Sequence, residues 1–245
     1  MNKSLSVVVP TFNEKNNIQI LVPQILKVFN QNKIDGEIVI VEDPSTDGSR
    51  EVLCELEAAN PEVRVIFRKP PGSLAKAWHE GFEAAIKDHI VCIDADLCHD
   101  PIYFPQMLSK METHDLVIGS RYLDPDAAKI AGKSFVASVC SKLGVYSSQL
   151  VFGFKETDTS HSFRMFKKKL FDQIADKLDQ DGNVYLIQFL YEVERIGANI
   201  TEIPIVYGER IYGETKLKVS KETIRYFKFV LKTLGRKITA IAKRD

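Results

Sequence analysis

Five short apolar runs, each followed by a polar loop, limit what this chain can fold into. They are Leu5–Val9, Glu37–Val41, Val63–Phe67, Ile90–Ile93 and Leu116–Gly119. Runs this short and this apolar read as strands buried on both faces. Between them lie stretches of helical period, from about Lys15 to Asn30, from an Asp47 N-cap to about Ala59, and from a Ser73 N-cap to about Lys87. Strand and helix alternating at this rhythm predict an α/β fold with a doubly wound, mainly parallel sheet. In such sheets ligands bind beyond the carboxyl ends of the strands. The loops Pro10–Glu14, Glu42–Ser49 and Asp94–Asp100 are expected to converge there.

The fourth run carries the clearest chemistry. It leads into Asp94-Ala95-Asp96-Leu97-Cys98-His99-Asp100-Pro101. If the strand continues, its period of two turns both carboxylates the same way. Two converging anions are costly without a cation between them. A Mg²⁺ or Mn²⁺ site that also grips phosphates would supply one. The plainer reading is that Asp96 or Asp100 caps the helix opened by Pro101.

At 245 residues the chain can bury a sizeable core. Four cysteines without close spacing read as reduced thiols. No stretch approaches the roughly 18 apolar residues of a membrane span, and Leu5–Val9 is too short for a signal peptide. The expected location is the cytoplasm, with peripheral attachment at a membrane's cytoplasmic face. Formal net charge is zero, but residues 216–245 hold ten Lys/Arg against two Asp/Glu. That excess of +8 leaves −8 on residues 1–215.

Further along, Gly132 to Phe152 reads as helical, and Thr157–Phe166 as a turn entering a strand, then a helix to about Leu178. Asn183–Ile196 reads as a helix and Ile200–Val206 as a late strand. Residues 1–215 are expected to form one domain. In 216–245, Ile224, Phe227, Leu231, Leu234, Ile238 and Ile241 form an apolar stripe beside Lys221, Arg225, Lys228, Lys232 and Arg236. Such a helix either packs on the same domain or docks on an anionic membrane surface. The five histidines show no metal-ligand spacing and read mostly as surface or helix-end residues.

Six segments recur in one order: Val9-Pro-Thr-Phe-Asn-Glu14, Glu42-Asp43-Pro-Ser-Thr-Asp47-Gly48, Asp94-Ala-Asp96-Leu, Gly119-Ser-Arg121-Tyr, Ser162-Phe-Arg164 and Arg210-X-X-Gly213-X-X-Lys216. Together they resemble the family-2 inverting glycosyltransferases of GT-A fold, and within them the dolichyl-phosphate mannosyltransferase or polyprenol-phosphate glycosyltransferase group. The resemblance implies that Pro10, Phe12, Glu14, Val41 and Asp43 surround base and ribose. It gives the metal and diphosphate to Asp94 and Asp96, with the Ala95 backbone nearby. Arg121, Arg210 and Lys216 become the cations around donor diphosphate and acceptor phosphate, and Arg164 joins the substrate-binding set. Asp96, Arg121 and Arg210 would carry catalysis.

Three departures stand out. Glu42-Asp43-Pro44-Ser45 replaces the family's frequent Asp-Asp-Gly-Ser. Cys98 occupies the third metal-site position, where relatives carry a polar residue such as glutamine. His161-Ser162 replaces Ser-Gly. A thiolate is a soft ligand ill suited to Mg²⁺, so Cys98 is expected to be a neutral neighbour of the ion.

The implied partners are a nucleotide sugar, a polyprenyl phosphate, a membrane surface or a membrane-anchoring subunit, and no nucleic acid. A phosphate acceptor arrives ionised at pH 7 and needs no base. A sugar hydroxyl would need one, for which Asp158 and Glu156 are the carboxylates at hand. The rival readings are a transferase acting on a saccharide hydroxyl and a non-catalytic nucleotide-sugar-binding subunit, the latter suggested by Pro44 and Cys98.

Overall fold

Register in the sheet follows from alternation along the first strand. In the computed structural model, which describes residues 3–124, 146–179, 182, 184–208 and 224–233, β1 (Ser4–Thr11) sends Val7 and Val9 to one face and Val8 to the other. It pairs in parallel with β2 (Asp35–Glu42) and with β4 (His89–Cys92). Beyond β2 lies β3 (Val63–Phe67), also parallel. β6 (Arg164–Lys167) runs antiparallel between β4 and β5 (Leu116–Ser120), and β7 (Ile200–Pro204) closes the far edge parallel to β5. The seven-strand order is β3-β2-β1-β4-β6-β5-β7.

Both faces are covered, as the apolar runs require. On one face α1 (Lys15–Asn32), α2 (Ser49–Ala59) and α4 (Phe104–Lys110) bring Leu21, Ile25, Leu53, Phe104 and Met107 against Val7, Ile38 and Val91. On the other, α3 (Leu74–Ala84), α5 (Lys168–Asp172) and α6 (Val184–Arg195) bring Trp78, Phe82, Phe171 and Phe189 against Val8, Val41 and Phe166. α3 lies so close to the sheet that a Cβ on Gly81 would overlap Val8. Burying a large side chain here contributes roughly 1.5–3 kcal/mol.

Local signals held in part. Ser73 caps α3 by accepting from Lys76 N, and Asp100 caps the 3₁₀ turn Pro101–Tyr103 by accepting from Ile102 N. Asp47 does not cap α2 in the expected way, because Gly48 takes that position in a left-handed conformation at φ 89°. The Asp47 carboxylate instead accepts from Ser49 N and Lys15 N, both at 3.0 Å, tying the starts of two helices together. β4 ends at Cys92, so Asp94 and Asp96 stand in a turn beyond the strand rather than in its alternation.

Residues 146–152 and 224–233 are helical and pack against each other. Phe229 lies 5.1 Å from Phe152 and 6.0 Å from Tyr191, ring centre to ring centre. The face that packs is Tyr226, Phe229, Val230 and Thr233, not the stripe read from the sequence. Ile224, Phe227 and Leu231 are 58, 60 and 69% exposed. Lys221, Leu234, Arg236, Ile238 and Ile241 lie outside the described residues. Cys54, Cys92 and Cys98 are free thiols. Among the described residues no helix is long and apolar enough to cross a membrane.

Candidate active site

The exits of β1, β2, β4, β5 and β7 all open on one edge of the sheet, because these strands are mutually parallel. β6 is antiparallel, so its entry segment 157–163 reaches the same edge. That reversal places residues 158–162 beside the Asp94 turn.

The β1 and β2 exits are laced together. Asn13 N donates to Ser45 Oγ at 2.7 Å, Thr46 N to Asn13 Oδ1 at 2.8 Å, and Glu14 N to Ser49 Oγ at 3.2 Å. Asp43 is buried and takes Arg68 on one oxygen and Ser73 N on the other at 2.9 Å. Of the expected base and ribose residues, Phe12 and Glu14 reach the surface, while Pro10 and Val41 are buried and Val41 packs beneath α3.

Glu42, beside Asp43, was not singled out in the sequence. Both its carboxylate oxygens are buried, and among the described residues neither has a well-formed hydrogen bond. Burial raises its pKa, Ser45 and Thr11 pull the other way, and Asp47 and Asp43 push it up further. Folding therefore favours protonated Glu42. That contribution is complete below the ordinary value of 4.5 and is lost as pH rises through the elevated one. Glu42→Gln should accordingly raise apo stability at pH 8 by about 1–3 kcal/mol and change it little at pH 4, in melting curves taken at both. Equal shifts at the two values would contradict the assignment.

The Asp94 turn is held from several sides. Asp96 is buried, and its Oδ1 accepts from Cys98 N at 3.1 Å. The Cys98 thiol contacts the Asp96 carbonyl at 3.9 Å, and Gly208 N donates to the Cys98 carbonyl at 2.9 Å. Ala95 packs into the core. Tyr207 lies over this turn, with a pKa raised by burial first and then by Asp96, Cys98 and Asp94. Asp94 is more open and accepts from Ser162 Oγ at 2.7 Å.

Among the described residues no three His, Cys, Asp or Glu side chains form a metal cluster. Two carboxylates on one turn do fit a hard ion that completes its shell with phosphate and water. The soft Cys98 sulfur, turned to a backbone carbonyl, adds nothing to that set.

Arg121 leaves β5 into a buried ion pair. Its Nε and Nη2 donate to the two Asp158 oxygens at 2.7 and 2.8 Å, and its backbone N–H adds a third bond at 3.2 Å. Its Cζ lies 5.5 Å from the Tyr207 ring centre. Among the described residues no hydrogen bond is formed by Nη1. Glu202 on β7 accepts from Thr157 N at 2.8 Å and Asp158 N at 3.0 Å, which fixes Asp158 beneath the guanidinium. Asp158 is thus committed to Arg121, and Glu156 is buried with Lys155 N on its carboxylate.

Arg164 departs most from expectation. It is fully buried, and its guanidinium donates to the carbonyls of His161 and Leu186. Burial lowers its pKa to about 10. It joins β6 to α6 as a scaffold residue and offers no group to a substrate. The histidine reading also fails, since His79, His89, His99 and His161 are all buried. The Nε2 atoms of His99 and His161 lie 2.9 Å apart within the site. Their 62-residue separation hid that contact, and the one hint was that each follows an aspartate of the site. Arg210 and Lys216 lie outside the described residues.

The fold and the chain have well-characterised counterparts. A glucosyl-3-phosphoglycerate synthase of Mycobacterium tuberculosis, solved with Mg²⁺ and uridine diphosphate, superposes with a TM-score of 0.64 at 17% identity, over 87% of this chain and 72% of that one. The same enzyme with Mn²⁺, uridine diphosphate and phosphoglyceric acid gives 0.59 at 17%, over 90% and 74%. The shared architecture is the GT-A fold. In sequence, an undecaprenyl-phosphate mannosyltransferase of Micrococcus luteus is 27% identical over 86% of either chain. A dolichol-phosphate mannosyltransferase of Pyrococcus furiosus is 29% identical over 94% of this chain and 63% of that one. A polyprenol monophosphomannose synthase of Mycolicibacterium smegmatis is 27% identical over 91% and 84%. Residues 6–175, carrying every strand but the last and the Asp94 turn, match glycosyl transferase family 2, and the chain belongs to that family.

Proposed function

We propose that this chain transfers a hexose from a nucleotide sugar, GDP-mannose or a UDP-sugar, to a polyprenyl phosphate with inversion and with a divalent metal. The observation that carries the choice of acceptor is that Asp158 spends both oxygens on Arg121 while Glu156 is buried. Neither carboxylate is left to deprotonate a hydroxyl. A phosphate monoester, already ionised, needs no such base. The relatives named for undecaprenyl, dolichol and polyprenol phosphates support the same acceptor.

The chemistry is one in-line displacement. An acceptor phosphate oxygen bonds to the anomeric carbon as the bond to the donor diphosphate breaks, and the electron pair leaves on the diphosphate. Phe12, Glu14 and the Asp43 loop line the nucleotide. Asp94 and Asp96 would hold Mg²⁺ or Mn²⁺, which supplies charge neutralisation at the leaving group. Arg121, held by Asp158, presents its Nη1 edge to phosphate, and fixed donors aimed at developing charge need no reorganisation during reaction. Arg210 and Lys216 would add further cations. A melting screen of nucleotide sugars with Mn²⁺ tests the reading, because a bound donor raises the melting temperature. A stabilising donor that turns over only with a saccharide hydroxyl would favour the rival acceptor. Binding without turnover on any acceptor would favour a non-catalytic subunit.

The exposed Ile224, Phe227 and Leu231, flanked by Lys228 and Lys232, fit an anionic membrane surface where the lipid acceptor resides. Each inserted side chain contributes roughly 1.5–3 kcal/mol. Phe227→Ser with Leu231→Ser should weaken binding to anionic vesicles roughly tenfold or more and spare turnover on a short soluble acceptor. Binding should also weaken with salt, since exposed charges are screened within about 8 Å at physiological ionic strength. Unchanged vesicle binding by the double variant would remove this face from membrane contact.

A further inference from the structure

Asp94 is held at its carboxylate by Ser162 and at its backbone by His99, which in turn rests on His161. Ser162 Oγ donates to its carboxylate at 2.7 Å. Its backbone N–H donates to His99 Nδ1 at 3.1 Å, and His99 Nε2 meets His161 Nε2 at 2.9 Å. The far nitrogen of His161, Nδ1, lies 2.6 Å from the Gly119 carbonyl.

A carbonyl only accepts, so His161 Nδ1 carries a proton and its Nε2 is the acceptor. His99 must then be protonated at Nε2, leaving its Nδ1 bare to receive the Asp94 N–H. One tautomer of each ring satisfies all three contacts. An extra proton on either ring would set donor against donor. Packing fixes the rings as well. His99 stacks on Phe163 at 5.0 Å and 11°, and Tyr207 stands edge-on to both imidazoles at 5.3 and 5.5 Å.

We propose that His161 and Ser162, the first acting through His99, are positioning residues that fix the main chain and carboxylate of Asp94 for a divalent cation bound to a nucleoside diphosphate. The clamp also joins the two charged halves of the site, because Gly119 leads directly to Arg121. It rests on the metal role given above to Asp94. It assigns a purpose to the His161-Ser162 dipeptide, which the resemblance alone left as an unexplained departure. Groups that orient a metal ligand from behind typically matter 10–100-fold in metal affinity or activity.

Two measurements test it. In the full-length wild type labelled with ¹⁵N-histidine, long-range ¹H–¹⁵N correlation at pH 7 should show His161 as the Nδ1–H tautomer and His99 as Nε2–H, assigned with His161→Gln and His99→Asn. The Nε2–H form of His161, or an imidazolium at either position, would overturn the clamp. Mn²⁺ binding, read by electron paramagnetic resonance with GDP and with UDP separately, should weaken about 10–100-fold in Ser162→Ala and in His161→Gln. Their kcat should fall with metal-free nucleotide affinity unchanged. Wild-type Mn²⁺ affinity in Ser162→Ala, which removes one oxygen and keeps the fold, would overturn the proposal. Failure of the wild type itself to bind Mn²⁺ with either nucleotide would instead remove the metal role of Asp94 on which the clamp rests.

Discussion

Asp96→Ala is expected to cut turnover on the order of 10³-fold, the scale lost when charge stabilisation at a leaving group is removed. The fold should survive. Asp96 stands in a turn beyond β4, and the bond its side chain accepts from Cys98 N contributes about 0.5–1.5 kcal/mol to the fold. Asp94→Ala should cost less activity, because Asp94 is the more open of the two. Turnover by Asp96→Ala within tenfold of wild type, in steady-state assays over a range of Mn²⁺, would take the carboxylate off the reaction.

Arg121→Ala should be the most destabilising change at the site. Asp158 is completely buried and spends both oxygens on Arg121. Removing the arginine strands a charge, at a cost of about 3–5 kcal/mol. For a chain of this size that lowers the melting temperature by about 10 °C. Loss of activity in this variant alone would say little about catalysis. The double variant Arg121→Met with Asp158→Leu separates the two effects, because an apolar pair of similar volume can replace a buried ion pair without loss of stability. It should melt near the wild type and remain inactive. Recovery of activity together with stability would make Arg121 a structural residue only.

Local, periodic features of the chain were legible before the structure. The five apolar runs became β1 to β5, Ser73 and Asp100 capped as their spacing implied, and the segment order pointed to the GT-A fold. The misses share a cause, which is that contact across the sheet leaves no local trace. Arg164 joined the substrate-binding set through the resemblance, but antiparallel β6 carries it between Cys92 and Ile118 into the core. The apolar stripe at 224, 227 and 231 obeys helical period, yet Tyr226 and Phe229 are the residues that meet Phe152. No clear base was legible for a hydroxyl acceptor, and Glu202 and Arg121 around Asp158 take up the nearest carboxylate. His99 and His161 sit in separate segments, and only the reversed direction of β6 brings them together.

The central claim is metal-dependent transfer to a lipid phosphate. Its most direct test incubates the protein with labelled GDP-mannose or UDP-hexose and extracted polyprenyl phosphate, with Mn²⁺ or with EDTA, and counts label in the organic phase. The expected result is a mild-acid-labile lipid product that requires the metal, requires the phosphate on the lipid, and disappears in Asp96→Ala. Organic-phase product formed equally in EDTA, or none formed while a saccharide hydroxyl is glycosylated, would contradict it.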